Sequence, residues 1–157
     1  MNEWNELYLE VILDHNKNPR NNGTLEQYTH HAEGHNPLCG DNISIQVIVE
    51  NGLVQEANFT GSGCAISTAS ASILTETIKG KTVDEISKLF QDFHTLVTNK
   101  ESKKDMGKLS IFEGVKKYPA RVKCATLSWH ALMAALEGKK ETTTEWMTKL
   151  RKRSLKL

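Results

Sequence analysis

Several protein classes are excluded by what this sequence lacks. It has three cysteines in 157 residues, an odd number that cannot pair fully within one chain, so a disulfide-stapled extracellular fold is not expected. No apolar run approaches the roughly 18 residues of a membrane-spanning helix, so no membrane partner is expected. Neither sign of charge dominates. The formal net charge is +1, which by itself calls for no polyanion, and nucleic acid is not an expected partner. No internal repeat or low-complexity tract is present. Residues 1–10 carry three glutamates and no lysine or arginine, unlike a signal or transit peptide, so the expected location is the cytoplasm.

What is present suffices for one domain. With 38% hydrophobic and 25% charged residues, the composition is that of a soluble globular chain, and one of this length buries a core without disulfides or metal. We expect a single domain over 1–157, with a basic helical tail over 139–157. That tail has a weak amphipathic segment around Trp146 and Leu150, then Lys149, Arg151, Lys152, Arg153 and Lys156 without an acid between Met147 and Leu157.

Periodicity sets the elements. Trp4, Leu7, Tyr8, Val11 and Ile12 share one helical face, and Asn18-Pro19 stops that helix, because the residue before proline avoids helical geometry. Ile43, Ile45 and Val47 alternate with polar residues. Asn51-Gly52 then suits a type I′ turn, and Leu53 to Thr60 makes the return strand. Ala65 to Ile78 reads as a helix rich in Ala and Ser, stopped by Lys79-Gly80. Thr82-Val83-Asp84-Glu85 is a capping box, followed by a stripe of Val83, Ile86, Leu89, Phe90 and Phe93. Lys100 to Asp105 is a charged connector. A last strong helix follows Pro119, with Ala125, Trp129, Leu132, Met133 and Leu136 on one face and Gly138 as terminator. The predicted class is α+β: a small three-stranded antiparallel sheet with helices packed on one side.

The cysteines carry the chemistry. In Asn36-Pro37-Leu38-Cys39-Gly40-Asp41, Cys39 and Asp41 flank a glycine that allows a tight turn, so a thiolate and a carboxylate can face one point. Gly61-Ser62-Gly63-Cys64-Ala65 puts Cys64 at a predicted helix N-terminus, where free N–H groups favour a thiolate. Arg121-Val122-Lys123-Cys124 sets two cations beside the third thiol, again at a predicted helix start. Each pattern alone occurs by chance around buried structural cysteines. Together, three thiolates and one carboxylate form a four-ligand set suited to zinc, and thiolates equally suit iron–sulfur clusters. Histidines compete for the fourth place. His35 lies four residues before Cys39, while His130 lies more than a helical turn beyond Cys124. Asp41 is preferred, because two loop residues flanking a glycine converge more easily.

These motifs, with Leu7-Tyr8 through Asp14-His15, Asn18-Pro19-Arg20-Asn21 and Tyr118-Pro119-Ala120-Arg121-Val122-Lys123-Cys124-Ala125-Thr126-Leu127, occur in an order that resembles the U-type iron–sulfur cluster assembly proteins, also known as the NifU-like N-terminal family. The resemblance spans most of the chain but not its basic tail. It is closer to the SufU branch than to the IscU branch. IscU-type chains have a histidine just before the third cysteine, where this chain has Lys123, and SufU-type chains carry an extra segment between the second and third cysteines. The resemblance implies a SufU/IscU-like fold and zinc held by Cys39, Asp41, Cys64 and Cys124. It implies a zinc-dependent sulfurtransferase whose partner is a PLP-dependent cysteine desulfurase, with downstream iron–sulfur assembly proteins as further partners. A desulfurase histidine would replace Cys39 on the metal and free it to accept sulfur, and Arg121 matches a family arginine near the site. The alternative is a scaffold that builds a [2Fe–2S] cluster on the same ligands.

Overall fold

The computed structural model describes residues 3–99 and 105–143. Residues 100–104 of the charged connector and most of the basic tail lie outside the described residues. Helix α1, Glu3–Lys17, ends just before Asn18-Pro19 as predicted. After a loop come β1 (His30–Asn36), β2 (Asp41–Glu50) and β3 (Leu53–Ser62). All three pair antiparallel in chain order. Asn51 and Gly52 adopt φ of 55° and 75°, the two positive values that a type I′ turn requires.

Helix α2 is Ala65–Ile78, stopped by Lys79 at its C-cap and Gly80 at φ +81°. Helix α3, Val83–Thr98, begins with the predicted capping box: Thr82 accepts from the Glu85 backbone and Glu85 accepts from the Thr82 backbone. A 3₁₀ segment, Gly107–Lys117, leads into α4, Pro119–Leu136, with Pro119 in its first turn. Gly138 at φ +81° then ends the helix.

The sheet has four strands rather than three. Glu141–Thr143 form β4, which pairs parallel to β1 and gives the order β3-β2-β1-β4. The start of the predicted helical tail is therefore strand. Helix α4 packs against β1 and β2, α2 packs against β3 and α4, and α1 lies on α2. Ile43, Ile45, Val47, Ala57 and Phe59 of the sheet meet Ile73, Leu74, Leu127, Trp129 and Leu132 of the helices in one core. The helix α4 was expected to bury one face. Instead nearly every residue from Cys124 to Ala135 is buried, because the sheet, α2, α3 and the 3₁₀ segment surround it. Among the described residues, no helix is long and apolar enough to cross a membrane.

Strand β1, His-His-Ala-Glu-Gly-His-Asn, has no apolar alternation to announce it. Its inward residues Ala32, Gly34 and Asn36 are buried or nearly so but small or polar. A Cβ on Gly34 would stand 3.0 Å from Leu127 Cδ1 and 3.2 Å from Ala131 Cβ. Small residues let α4 lie close against β1, and that closeness brings the start of α4 to the β1–β2 turn.

Candidate metal centre

Three chain segments meet at one end of the strands. The β1–β2 turn supplies Cys39 and Asp41, the β3–α2 junction supplies Cys64, and the second turn of α4 supplies Cys124. Asn36 and Asp41 are register partners at the base of the turn, and Gly40 N donates to Asn36 O at 2.8 Å. Gly40 takes φ +72°, a conformation glycine adopts without strain, so the predicted tight turn is present. It leaves Cys39 exposed and Asp41 buried.

Cys64 is the N-cap of α2, and its Sγ accepts from Ser67 N at 3.5 Å. Its own N–H donates to Asp41 Oδ1 at 2.9 Å, joining the turn to the helix start. Cys124 was expected at a helix start. Because α4 already begins at Pro119, Cys124 instead lies fully buried in the helix, its Sγ 3.6 Å from Ala120 O one turn back.

Candidate ligand atoms of Cys39, Asp41 and Cys124 all lie within 4.8 Å of one another. Cys39 and Cys124 Sγ are 3.5 Å apart. A zinc tetrahedron with bonds of about 2.3 Å to sulfur has edges of roughly 3.8 Å, so this pair fits with little movement. Cys64 stands outside that group of three and is tied to it through its backbone N–H, which donates to Asp41 Oδ1. The donor set is thus chemically suited to zinc.

The thiols do not titrate alike. The hydrogen bond from Cys124, helped by the Ser67 and Ile66 backbone, outweighs burial and lowers the Cys64 thiol to about 6. The same bond, then burial, then the contact with Cys39, pushes the Cys124 thiol up. Arg121 responds in kind: its hydrogen bond to Cys124 and the charge of Cys64 raise its guanidinium further. The competing histidines lie elsewhere. His35 Nδ1 bonds Asn42 Oδ1, and its ring groups with Glu33 and Glu141 instead. His130 is buried against Phe90.

Three further residues shape the site without having been singled out for that role in sequence. Asn36 Nδ2 donates to Asp41 Oδ2 at 3.2 Å and to Cys124 Sγ at 3.6 Å. Ser67 Oγ donates to Cys124 O at 3.2 Å, tying α2 to α4. Gly63 packs where a side chain would strike Asp41. Asn36 and Gly63 stand inside motifs already noted, but only the strand register and helix packing show what they touch.

Fold and site together define a small α+β protein in which Cys39, Asp41 and Cys124 converge on a common point and the Cys64 backbone is bonded to Asp41. The family model of the NifU-like N-terminal domain matches residues 7–125, and the chain belongs to that family. It is 44% identical over 128 residues to the zinc-dependent sulfurtransferase SufU of Bacillus subtilis, covering 80% of this chain and 86% of that one. It is 37% identical over 139 residues to the iron–sulfur cluster assembly scaffold protein IscU of Streptococcus pyogenes, covering 87% of each. Among solved structures, a protein from Fervidobacterium islandicum described as an iron–sulfur cluster assembly scaffold for the SUF system superposes with a TM-score of 0.75. That protein is 33% identical, with 81% of this chain and 94% of that chain covered. The resemblance read from the motifs and the α+β class are borne out.

Proposed function

We propose that this protein is a zinc-dependent sulfur acceptor in iron–sulfur cluster biogenesis. Acting in the cytoplasm, it takes the terminal sulfur of a persulfide carried by a PLP-dependent cysteine desulfurase. The observation that carries this reading is the division within the site. Cys39 is exposed at a turn, while Asp41 and Cys124 are buried and Cys64 is half-buried. One thiol is open to a large partner, and three ligands remain to hold a metal.

Cys39, Asp41, Cys64 and Cys124 would hold the zinc. When bound, zinc keeps cysteine ligands deprotonated near neutral pH and offers no redox chemistry of its own. The Cys39 thiolate attacks the terminal sulfur of the donor persulfide. A new S–S bond forms on Cys39 as the donor S–S bond breaks, and the electron pair leaves on the donor cysteine. The transferred sulfur keeps its oxidation level, so no oxidant or reductant is consumed. Arg121, whose guanidinium is held above its ordinary value by Cys124 and by the charge of the neighbouring thiols, would lower the cost of gathering negative charge there.

The test is sulfur transfer from desulfurase and cysteine to the purified protein. Wild-type protein is expected to carry about one zinc per chain, as a single four-ligand site requires, and to gain a persulfide. Cys39→Ala is expected to accept none. A Cys39→Ala protein that still accepts sulfur and stimulates the desulfurase overturns the role of Cys39. The similarity to scaffold proteins supports a second reading, a [2Fe–2S] cluster built on the same ligands. Against it, Lys123 stands where that branch has a histidine. Iron with matching acid-labile sulfide in protein purified anaerobically, in place of zinc, establishes the scaffold reading.

A further inference from the structure

We propose that Asn36 is a positioning residue that keeps the metal held when Cys39 leaves it. The proposal rests on the zinc-site reading above. Asn36 ends β1 opposite Asp41, the first residue of β2, and is fully buried. A carboxamide nitrogen carries two N–H groups. Two candidate ligands lie within reach of this one: Asp41 Oδ2 at 3.2 Å and Cys124 Sγ at 3.6 Å. Turning the amide over would set its oxygen against a carboxylate oxygen and a sulfur, so the chemistry of the two acceptors fixes its orientation.

Asn36 therefore bridges ligands from two separate elements, the hairpin and α4. Asp41 is held on its other side as well, since Oδ1 accepts from Cys64 N at 2.9 Å. Each carboxylate oxygen thus has a donor that fixes its aim. Cys39 occupies the exposed part of the turn, beside a glycine at φ +72°. Three thiolates and a carboxylate around one divalent ion leave two excess negative charges, and N–H groups aimed at the buried ligands offset part of that cost. When Cys39 departs with sulfur, the Asn36 bonds to Asp41 and Cys124 do not depend on it. Asparagine thus separates the set into ligands that stay and one that exchanges.

The test compares Asn36→Ala and Asn36→Asp, each alone and combined with Cys39→Ser. Zinc affinity is read by competition with a chromophoric chelator, and ligand geometry by the thiolate charge-transfer and d–d bands of the cobalt(II) form. Melting temperature is read on chelator-treated protein. Cys39→Ser alone is expected to retain zinc. Asn36→Ala is expected to weaken zinc by roughly 10- to 100-fold, the usual effect of losing a partner that orients a ligand, and to shift the cobalt bands. Combined with Cys39→Ser, it should weaken zinc by more than the product of the single effects. Asn36→Asp keeps the side-chain shape but lacks the N–H groups and adds charge, so it should bind at least as weakly. That variant decides the matter should the alanine variant fail to fold. Affinity and cobalt bands matching wild type in both backgrounds overturn the proposal, as does a fall in melting temperature with zinc affinity intact. Wild-type protein that holds neither zinc nor cobalt fails the zinc-site reading itself, a distinct result that also removes the basis for this one.

Discussion

Gly63 has no space for a side chain. A Cβ there would lie 2.9 Å from Asp41 Oδ1 and 3.1 Å from Ser67 Cβ. Gly63→Ala must push Asp41 away from the ligand cluster or lift the start of α2. Competition against a chelator is expected to show weakened metal binding, with far-ultraviolet circular dichroism unchanged. Two histidines carry a different prediction. His15 is fully buried, its Nδ1 2.7 Å from Ser72 Oγ, which also accepts from Arg20 N. Burial, then the nearby Lys108 and Arg20 cations, lower its pKa below 6.5. Burial, with a small contribution from His94, lowers His130 to about 4. Both groups bind protons more readily in the unfolded chain. Their contribution to stability is therefore complete above an unfolded pKa near 6.5 and falls as the pH drops below it. At about 1.4 kcal/mol per pKa unit, His130 alone costs on the order of 3 kcal/mol by pH 4. Urea unfolding of chelator-treated protein between pH 7 and pH 4 should show this loss, and His130→Gln should flatten the curve. A stability that rises on acidification would contradict the sign.

Among the elements, β1 and α4 depend most on each other. Gly34 faces Leu127 and Ala131 at a distance that a Cβ only just tolerates. Gly34→Val overpacks this contact and is expected to destabilise by about 1–3 kcal/mol, seen as a lower urea midpoint. Because Asn36 ends this strand and Asp41 is its register partner across the turn, zinc affinity should fall with it. Equal stability in the variant would show that α4 shifts at no cost. The same contact explains why β1 escaped the sequence pattern. Its buried face consists of Ala32, Gly34 and Asn36, too small or polar to mark a period of two. By contrast, the β2–β3 hairpin was legible from Ile43, Ile45, Val47 and Asn51-Gly52. Both the α2 and α3 boundaries were legible too, from Lys79-Gly80 and the Thr82 capping box.

At the scale of the whole molecule, the core does not need the metal. Trp129 stacks on Phe93 with ring centroids 4.9 Å apart, and Phe112 meets Phe93 edge-on. These rings belong to the main cluster shared by sheet and helices, which includes none of the three cysteines. Chelation is therefore expected to leave a cooperatively folded protein with a lower melting temperature. At free zinc about 1,000 times the dissociation constant, bound metal adds about 4 kcal/mol. Calorimetry with and without chelator measures the difference, and a chain that loses its tertiary signal on chelation would show that the metal is part of the core.

The candidate ligands were legible from the three motifs taken together, each of which alone also fits a buried structural cysteine. Every cysteine stands next to a glycine or a cation, and the motifs have a recognisable order along the chain. Helix and hairpin limits were likewise local matters, set by caps, turns and periodicity within a few residues. Convergence was not local. Gaps of 25 and 60 residues separate the three cysteines, and no spacing rule joins them. The packing of α4 on β1 and of α2 on α4 brings them together. Which thiol stays open, and that Asn36 reaches both Asp41 and Cys124, follow from burial and register, properties that arise only when distant segments share one interior.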